Sequence, residues 1–343
     1  MIRVKSTLTD SYVIGIIANC ISPQNRAELV QELGESKNGF FNPLEFSYKR
    51  FRGAVVPLDV MPHEIMTLDG TRKARKALLG AVESLVKNGA RVICLAASTK
   101  RLAGKRGEIL KKIYPNIIFT IGDSTTTLSL TRLMAHTLKD LKFNKKEDFI
   151  FCLGSGFLGN ASVEYLLKNN YKNIIVLSEF QQNFPPSVRV VKTLEDVNRP
   201  IKLMLSCTHK YELPIGSLDF LEKGACIIDV AVPAGVGEPL FDSLKDEKGV
   251  KRFDGGDFYL KDIKYDFNPK LLNMPMKEVW YGCFAEAVLL TVIKNKGAIL
   301  DDFDFFQVNE RNKDFLSVFL KSEEAKIPLV NFYDGECKDF IKF

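Results

Sequence analysis

The stretch DFIFCLGSGFLGNASVEYLLKNNYKNIIVLSEF, residues 148–180, decides the fold. An apolar run from Phe149 to Leu153 is followed by Gly154, Gly156 and Gly159 in a G-x-G-x-x-G pattern. A segment with helical spacing comes next, and then a second apolar run ends at Glu179. Strand, glycine turn, helix and strand in this order predict a βαβ unit whose turn lies against a pyrophosphate. The glycines allow the tight turn and the close backbone approach, and the helix start faces the phosphates. Gly154, Ser155, Gly156, Phe157, Leu158 and Gly159 are the expected contacts. Glu179 follows Gly154 by 179 − 154 = 25 positions. An acid at such a distance accepts the ribose hydroxyls and repels a 2′-phosphate, which favours NADH. Glu179 as a plain loop cap is the alternative.

Downstream, the runs IKLMLSCTH (201–209), ACIIDVAVP (225–233) and KRFDGGDFYL (251–260) read as further parallel strands that end in small or polar residues. Ligands of open α/β sheets bind at the carboxyl ends of strands. Ser206, Cys207, Thr208, Val230, Gly255 and Gly256 are therefore expected beside the nicotinamide. Asp229 is a candidate there or a cap of its own loop, and Gly255–Gly256 is equally a plain turn. Upstream, strand-like runs at 12–19, 53–62, 91–98 and 117–120 alternate with helical ones, the first capped by Ser22 and the last within Asp123–Thr125. The expected fold class is α/β with two domains. Residues 145–280 form a doubly wound Rossmann domain, beginning where the composition turns charged. Residues 1–144 plus 281–343 form a substrate and catalytic domain, to which a C-terminal helix returns.

That helix is WYGCFAEAVLLTVIK (280–294). Cys283 stands at its start, where unpaired N–H groups and the positive dipole end favour a thiolate. The plainer reading is a small buried apolar residue. Glu286, one turn on, is a candidate proton relay or a partner for a cation. Cys207 is the rival nucleophile, whereas Cys94, Cys152 and Cys226 lie within apolar strands and read as core.

Bulk properties narrow the function. The chain is 46% hydrophobic and 26% charged, an ordinary globular balance. Seven cysteines without a CxxC motif and three scattered histidines predict a reducing, cytoplasmic setting and no metal site. A net charge of +6 is not the footprint of a nucleic-acid binder. No apolar run is long enough to span a membrane, and no signal-peptide layout is expected. The excess charge gathers in TRKARK (71–76) and KRLAGKRGEILKK (100–112), either a solvated face or a docking patch for an acidic partner.

Taken together, the motifs resemble those of the long-chain fatty acyl-carrier-protein reductases of cyanobacterial type. These are similar in layout to shikimate-dehydrogenase-like and glutamyl-tRNA-reductase-like proteins. CFAEAVLL (283–290) is close to the family's CFAEAMLL, and IGDSTTT (121–127) resembles TGNTHT, with Asp123 and Thr125 in place of the asparagine and histidine. IIDVAVP (227–233) resembles LIDGGYP, and FDGG (253–256) resembles LNGG. The resemblance implies reduction of an acyl thioester, on acyl-carrier protein or acyl-CoA, to a fatty aldehyde through a thioester on Cys283. It also implies NADPH, against the NADH that Glu179 favours, and an aldehyde-consuming enzyme as a possible partner. Ser98, Asp123, Ser124 and Thr125 are the expected substrate contacts. Two alternatives stand beside it: a shikimate-type hydroxy- or keto-acid dehydrogenase, with Lys100 and Asp123 as its pair, and a nucleotide-binding scaffold without turnover.

Overall fold

A computed structural model describes residues 13–179, 183–208, 213–274, 276–300, 302–334 and 336–342. The chain divides into two units. One holds the residues up to Ile121 with Asp262–Leu271 and Glu286–Asp302; the other holds Gly122–Lys261, Leu272–Ala285 and the residues from Phe303 on.

In the first unit, β1 (Ile14–Asn19), α1 (Pro23–Leu33), β2 (Leu44–Tyr48), β3 (Phe51–Leu58), α2 (Pro62–Ile65), α3 (Leu68–Lys87), β4 (Val92–Leu95), α4 (Glu108–Ile113) and β5 (Ile118–Thr120) follow in order. β3, β1, β4 and β5 are parallel neighbours, β2 runs antiparallel to β3, and a later strand, Ile263–Tyr265, pairs antiparallel with β2. Ser22 caps α1 as its sequence predicts, its hydroxyl accepting from the Asn25 N–H at 3.1 Å.

The second unit begins with α5 (Asp123–Asp140), followed by β6 (Phe149–Leu153), α6 (Phe157–Lys168), β7 (Ile174–Leu177), β8 (Val188–Val191), β9 (Ile201–Ser206), β10 (Leu221–Asp229), α7 (Glu238–Lys248) and β11 (Lys251–Asp254). These six strands form one parallel sheet in the order β11-β10-β9-β6-β7-β8. Counted from β6 as the first strand this is 3-2-1-4-5-6, the doubly wound Rossmann order, with its reversal between β6 and β9. β12 (Asp257–Tyr259), β13 (the strand Ile263–Tyr265 placed above), β14 (Val279–Tyr281), α8 (Gly282–Asn295), α9 (Glu310–Ser322), β15 (Lys326–Asn331) and β16 (Glu336–Lys342) complete the chain. β14, β12, β15 and β16 form an antiparallel sheet.

The observed division differs from the expected one at 144/145 and 280/281, for reasons that pairing makes plain. α5 packs on α6 and α9 and so belongs to the second unit. β13 is drawn to the first by its ladder with β2. The tail from Phe303 supplies α9 and the hairpin β15–β16. KRFDGGDFYL makes two strands in two sheets, because the turn at Gly255–Gly256 ends the first. α5 has Gly122 at its cap position, with φ +73, and Asp123 already in its first turn.

Candidate active site

The glycine turn fits a dinucleotide. A Cβ on Gly159 would lie 2.1 Å from the Gly154 carbonyl oxygen, so α6 lies directly on the turn. Gly154 itself has φ +103 and faces Cys207 and Thr208, the residues beyond β9, at about the closest approach a backbone allows. Gly156 differs: a Cβ there meets nothing within 4 Å, and no side chain caps α6. An open face before an uncapped helix start is what a pyrophosphate requires. Ser155 and Ser178 join the first two strand ends through their hydroxyls at 2.5 Å. Glu179 follows them on the surface, where ribose hydroxyls of a bound dinucleotide would lie. The buried Ser206 hydroxyl has no hydrogen-bond partner.

From this turn the carboxyl edge of the sheet leads to Cys283 by a run of backbone bonds. Val230 N–H donates to the Ser206 carbonyl at 2.9 Å, Gly255 to Asp229 at 2.7 Å and Gly282 to Gly256 at 2.8 Å. β6 and β11 are three strand intervals apart, about 14 Å at the usual spacing. Cys283 therefore belongs to the end of the edge where a nicotinamide ring would be expected. Its first helical turn also meets the start of α5. A Cβ on Gly122 would lie 2.1 Å from the Cys283 Cα and 2.2 Å from its Cβ, so only glycine allows the approach. A Cβ on Gly282 would lie 2.7 Å from the Thr126 Cα. The starts of α5 and α8 thus meet at the backbone of the partly exposed Cys283.

Beneath this turn is a buried polar cluster that sequence reading missed. Arg252, 3% exposed, reaches Asp254 at 2.9 Å, Asp229 at 3.4 Å and the Asn331 side-chain oxygen at 2.8 Å, with the Tyr333 ring 4.7 Å from its guanidinium carbon. Burial raises the Asp254 carboxyl against the pull of Arg252. Asp257 is pushed well above the ordinary carboxylate value by burial and then by Asp254. Tyr281, paired with Asp257 across β12 and β14, is pushed well up by burial and then by the charges of Asp257, Asp254 and Cys283. The signal that could have found this cluster was the charge-rich strand KRFD.

The other expected residues fall as follows. Cys207 lies at the strand reversal, but its thiol is held well above the ordinary value by a hydrogen bond with Cys152, by burial and by Asp229. Cys94, Cys152 and Cys226 are buried, with the Cys226 thiol pushed up to about 12 by burial. Asp229 caps its own loop, accepting from Ala231 and Val236 at 3.1 and 2.9 Å. Val230 packs beside Gly256. Asp123, Ser124 and Thr125 are buried in the first turn of α5, and the Ser124 hydroxyl donates to the Gln307 carbonyl at 3.3 Å. In the first unit, Ser98 donates its N–H to the Asn19 side chain at 3.0 Å, and Glu286 is wholly buried and accepts from the Thr120 hydroxyl. A 300 Å³ cavity is lined by Leu213, Pro214, Ile215, Gly237, Pro239 and Leu240, none of them an expected site residue. Among the described residues no cluster of His, Cys, Asp and Glu is suited to a metal ion, and no helix is long and apolar enough to cross a membrane.

No protein-family model matches the chain, and no curated protein does. Several solved structures are similar at low identity. Shikimate dehydrogenase 1 of Peptoclostridium difficile is 11% identical, with 91% of this chain and 98% of that one covered and a TM-score of 0.41. A shikimate 5-dehydrogenase-like protein is 10% identical over the same shares, with a TM-score of 0.37. The NAD-complexed D-isomer-specific 2-hydroxyacid dehydrogenase of Lactobacillus delbrueckii ssp. bulgaricus is 12% identical, covering 83% and 98%, with a TM-score of 0.34.

Proposed function

We propose that the chain is a nicotinamide-dependent oxidoreductase that takes an acyl thioester to the aldehyde, with Cys283 as nucleophile. The observation that carries this reading is a half-buried thiol between two helix starts, on the same sheet edge as a glycine turn that fits a dinucleotide. The Cys283 sulfur bonds to the thioester carbonyl carbon, and the bond from that carbon to the carrier's sulfur breaks. The departing thiolate takes up a proton, and the acyl group stays on Cys283. N–H groups at the starts of α8 and α5 supply donors for the oxygen that becomes negative during addition. A bound reduced nicotinamide dinucleotide would supply the hydride that brings the acyl group to the aldehyde. Gly154–Gly159 and Ser206–Thr208 would hold that cofactor, with Glu179 at its adenosine ribose. Asp257 pairs with Tyr281, the last residue of the strand that leads into Cys283, and burial raises both groups above their ordinary values.

The test is incubation with a long-chain acyl thioester, on carrier protein and on coenzyme A, without nicotinamide, followed by intact mass and peptide mapping. The expected result is an acyl adduct on Cys283 that NADH or NADPH discharges as aldehyde. An adduct on Cys207 would move the nucleophile. No adduct, with oxidation of a free hydroxy acid, would establish the dehydrogenase reading instead. Cofactor binding with neither activity would leave a scaffold.

A further inference from the structure

Asp229, Asp254 and Asn331 are the last residues of β10, β11 and β15, and all three reach one guanidinium. That of Arg252 lies 2.9 Å from Asp254 and 3.4 Å from Asp229 through one terminal nitrogen, and the other donates to the Asn331 side-chain oxygen at 2.8 Å. Each partner end is tied to further backbone. Asp229 accepts from the N–H groups of Ala231 and Val236 at 3.1 and 2.9 Å, and the second oxygen of Asp254 accepts from the Phe332 N–H. Tyr333 lays its ring over the guanidinium and donates its hydroxyl to the Val236 carbonyl at 2.9 Å. A cation so buried carries a desolvation cost that an apolar residue of equal size would avoid, and such a residue could not join three strand ends.

This joint stands at the root of the Gly255–Gly256 turn. The Gly255 N–H donates to the Asp229 carbonyl at 2.7 Å, and the Gly256 carbonyl accepts from the Gly282 N–H at 2.8 Å. The turn has no slack. A Cβ on Gly255 would lie 2.8 Å from the Ile228 side chain, one on Gly256 2.7 Å from that of Thr126, and one on Gly282 2.5 Å from the Gly256 carbonyl oxygen. Cys283 follows Gly282 directly and has Gly122 against its own backbone. In packing this close, a shift of the turn is transmitted to the Cys283 backbone.

We propose that Arg252 is a positioning residue for Cys283, a role that rests on Cys283 being the nucleophile. By holding the ends of β10, β11 and β15 together it fixes the Gly255–Gly256 turn and, through Gly282, the place from which the sulfur meets the thioester carbon. Arg252 itself touches neither thioester nor nicotinamide. Its planar fork sets direction as well as charge, which a lysine at the same place would supply only in part.

The experiment follows transfer of a long-chain acyl group from coenzyme A to the full chain, without nicotinamide, by intact mass and peptide mapping against time. R252M should slow acylation of Cys283 at saturating thioester about 100-fold, while the half-saturating thioester concentration and the NADH affinity stay within about threefold. R252K should recover about tenfold of that loss. D254N, which keeps an oxygen for the Phe332 N–H but weakens the ion pair, should slow acylation about tenfold and serves where R252M does not fold. Iodoacetamide labelling separates positioning from general loosening, since the buried Cys152 and Cys226 should react as slowly as in the parent. Acylation within about threefold of the parent in folded R252M, or in D254N, would overturn the proposal. A parallel loss of NADH affinity, or exposure of Cys152 and Cys226, would overturn it as well, leaving Arg252 a purely structural residue. A parent chain that takes no acyl group on Cys283 would overturn it together with the assignment of the nucleophile.

Discussion

Cys207 follows β9 of the parallel sheet and Cys283 follows β14 of the antiparallel one, next to the turn that ends β11, and their surroundings divide them. Cys207 shares a hydrogen bond with Cys152 below the glycine turn, close enough to Asp229 for its charge to count, and its thiol is held well up. Cys283 has Gly122 against its backbone, where the first turns of α5 and α8 meet. Place along a sheet edge is therefore a weak guide to reactivity. Both cysteines are partly exposed, so the groups packed around each of them, rather than access, separate the two, and that packing is a property of the fold.

The sharpest way to break this comparison is to exchange the roles of the two cysteines. Cys283→Ser should abolish the acyl adduct and lower aldehyde formation by at least about 10³-fold. Cys207→Ser should change it by less than about fivefold while leaving the Cys283 adduct in place. Mass spectrometry and steady-state rates on the two variants decide it, and a larger loss for Cys207→Ser would reverse the assignment. Next in size is Gly122→Ala, which puts a Cβ about 2 Å from Cys283 in a left-handed backbone. A loss of about 10²-fold in rate and about 2–3 kcal/mol in stability is expected, read from kcat and a denaturant titration.

Gly156→Asp addresses the neighbourhood of Cys207 without disturbing the packing. The position is open, so melting should stay within about 1 °C, whereas NADH affinity should fall about 100-fold as a carboxylate enters the phosphate site. Titration by cofactor fluorescence checks it. Glu179→Ser should shift the preference toward NADPH about tenfold, measured as the ratio of kcat/KM for the two cofactors; an unchanged ratio would leave Glu179 a plain loop residue.

The smallest effect concerns the protonated acid next to the Cys283 strand. Asp257 keeps its proton in the folded chain above the pH at which an unfolded aspartate loses it. Between its ordinary value of 3.8 and its raised folded value, the folded state binds more protons. Stability contributed there is full below pH 3.8 and declines as pH rises through that window. Asp257→Asn should flatten the decline and gain about 1 kcal/mol near pH 8, measured as denaturant midpoints across pH. A steeper decline in the variant would mean that the folded carboxyl is ionised.

The nucleotide fold was legible because its signals are local. Gly154, Gly156 and Gly159 lie within one turn, and the strands on either side are apolar runs flanked by charged or polar residues. The antiparallel sheet was not legible. β12 and β14 are three residues each, too short to show an alternating pattern, and β12 meets β15 some seventy residues later in the chain. Arg252 was not legible either, because Asp229 and Asn331 reach it from distant parts of the chain. At Cys283, sequence supplied the helix and the thiol at its start. It could not supply Gly122, 161 positions earlier, as 283 − 122 shows.

By itself, then, the sequence determined the βαβ nucleotide unit, the helices with their caps and the presence of a cysteine at a helix start. All of these follow from spacing and side-chain type within a few residues. Tertiary structure alone decided which cysteine has a second helix start beside it, which carboxyls burial raises, and that Arg252 meets Asp229 and Asn331. Burial and close approach depend on residues far apart in the chain, and no local pattern records them.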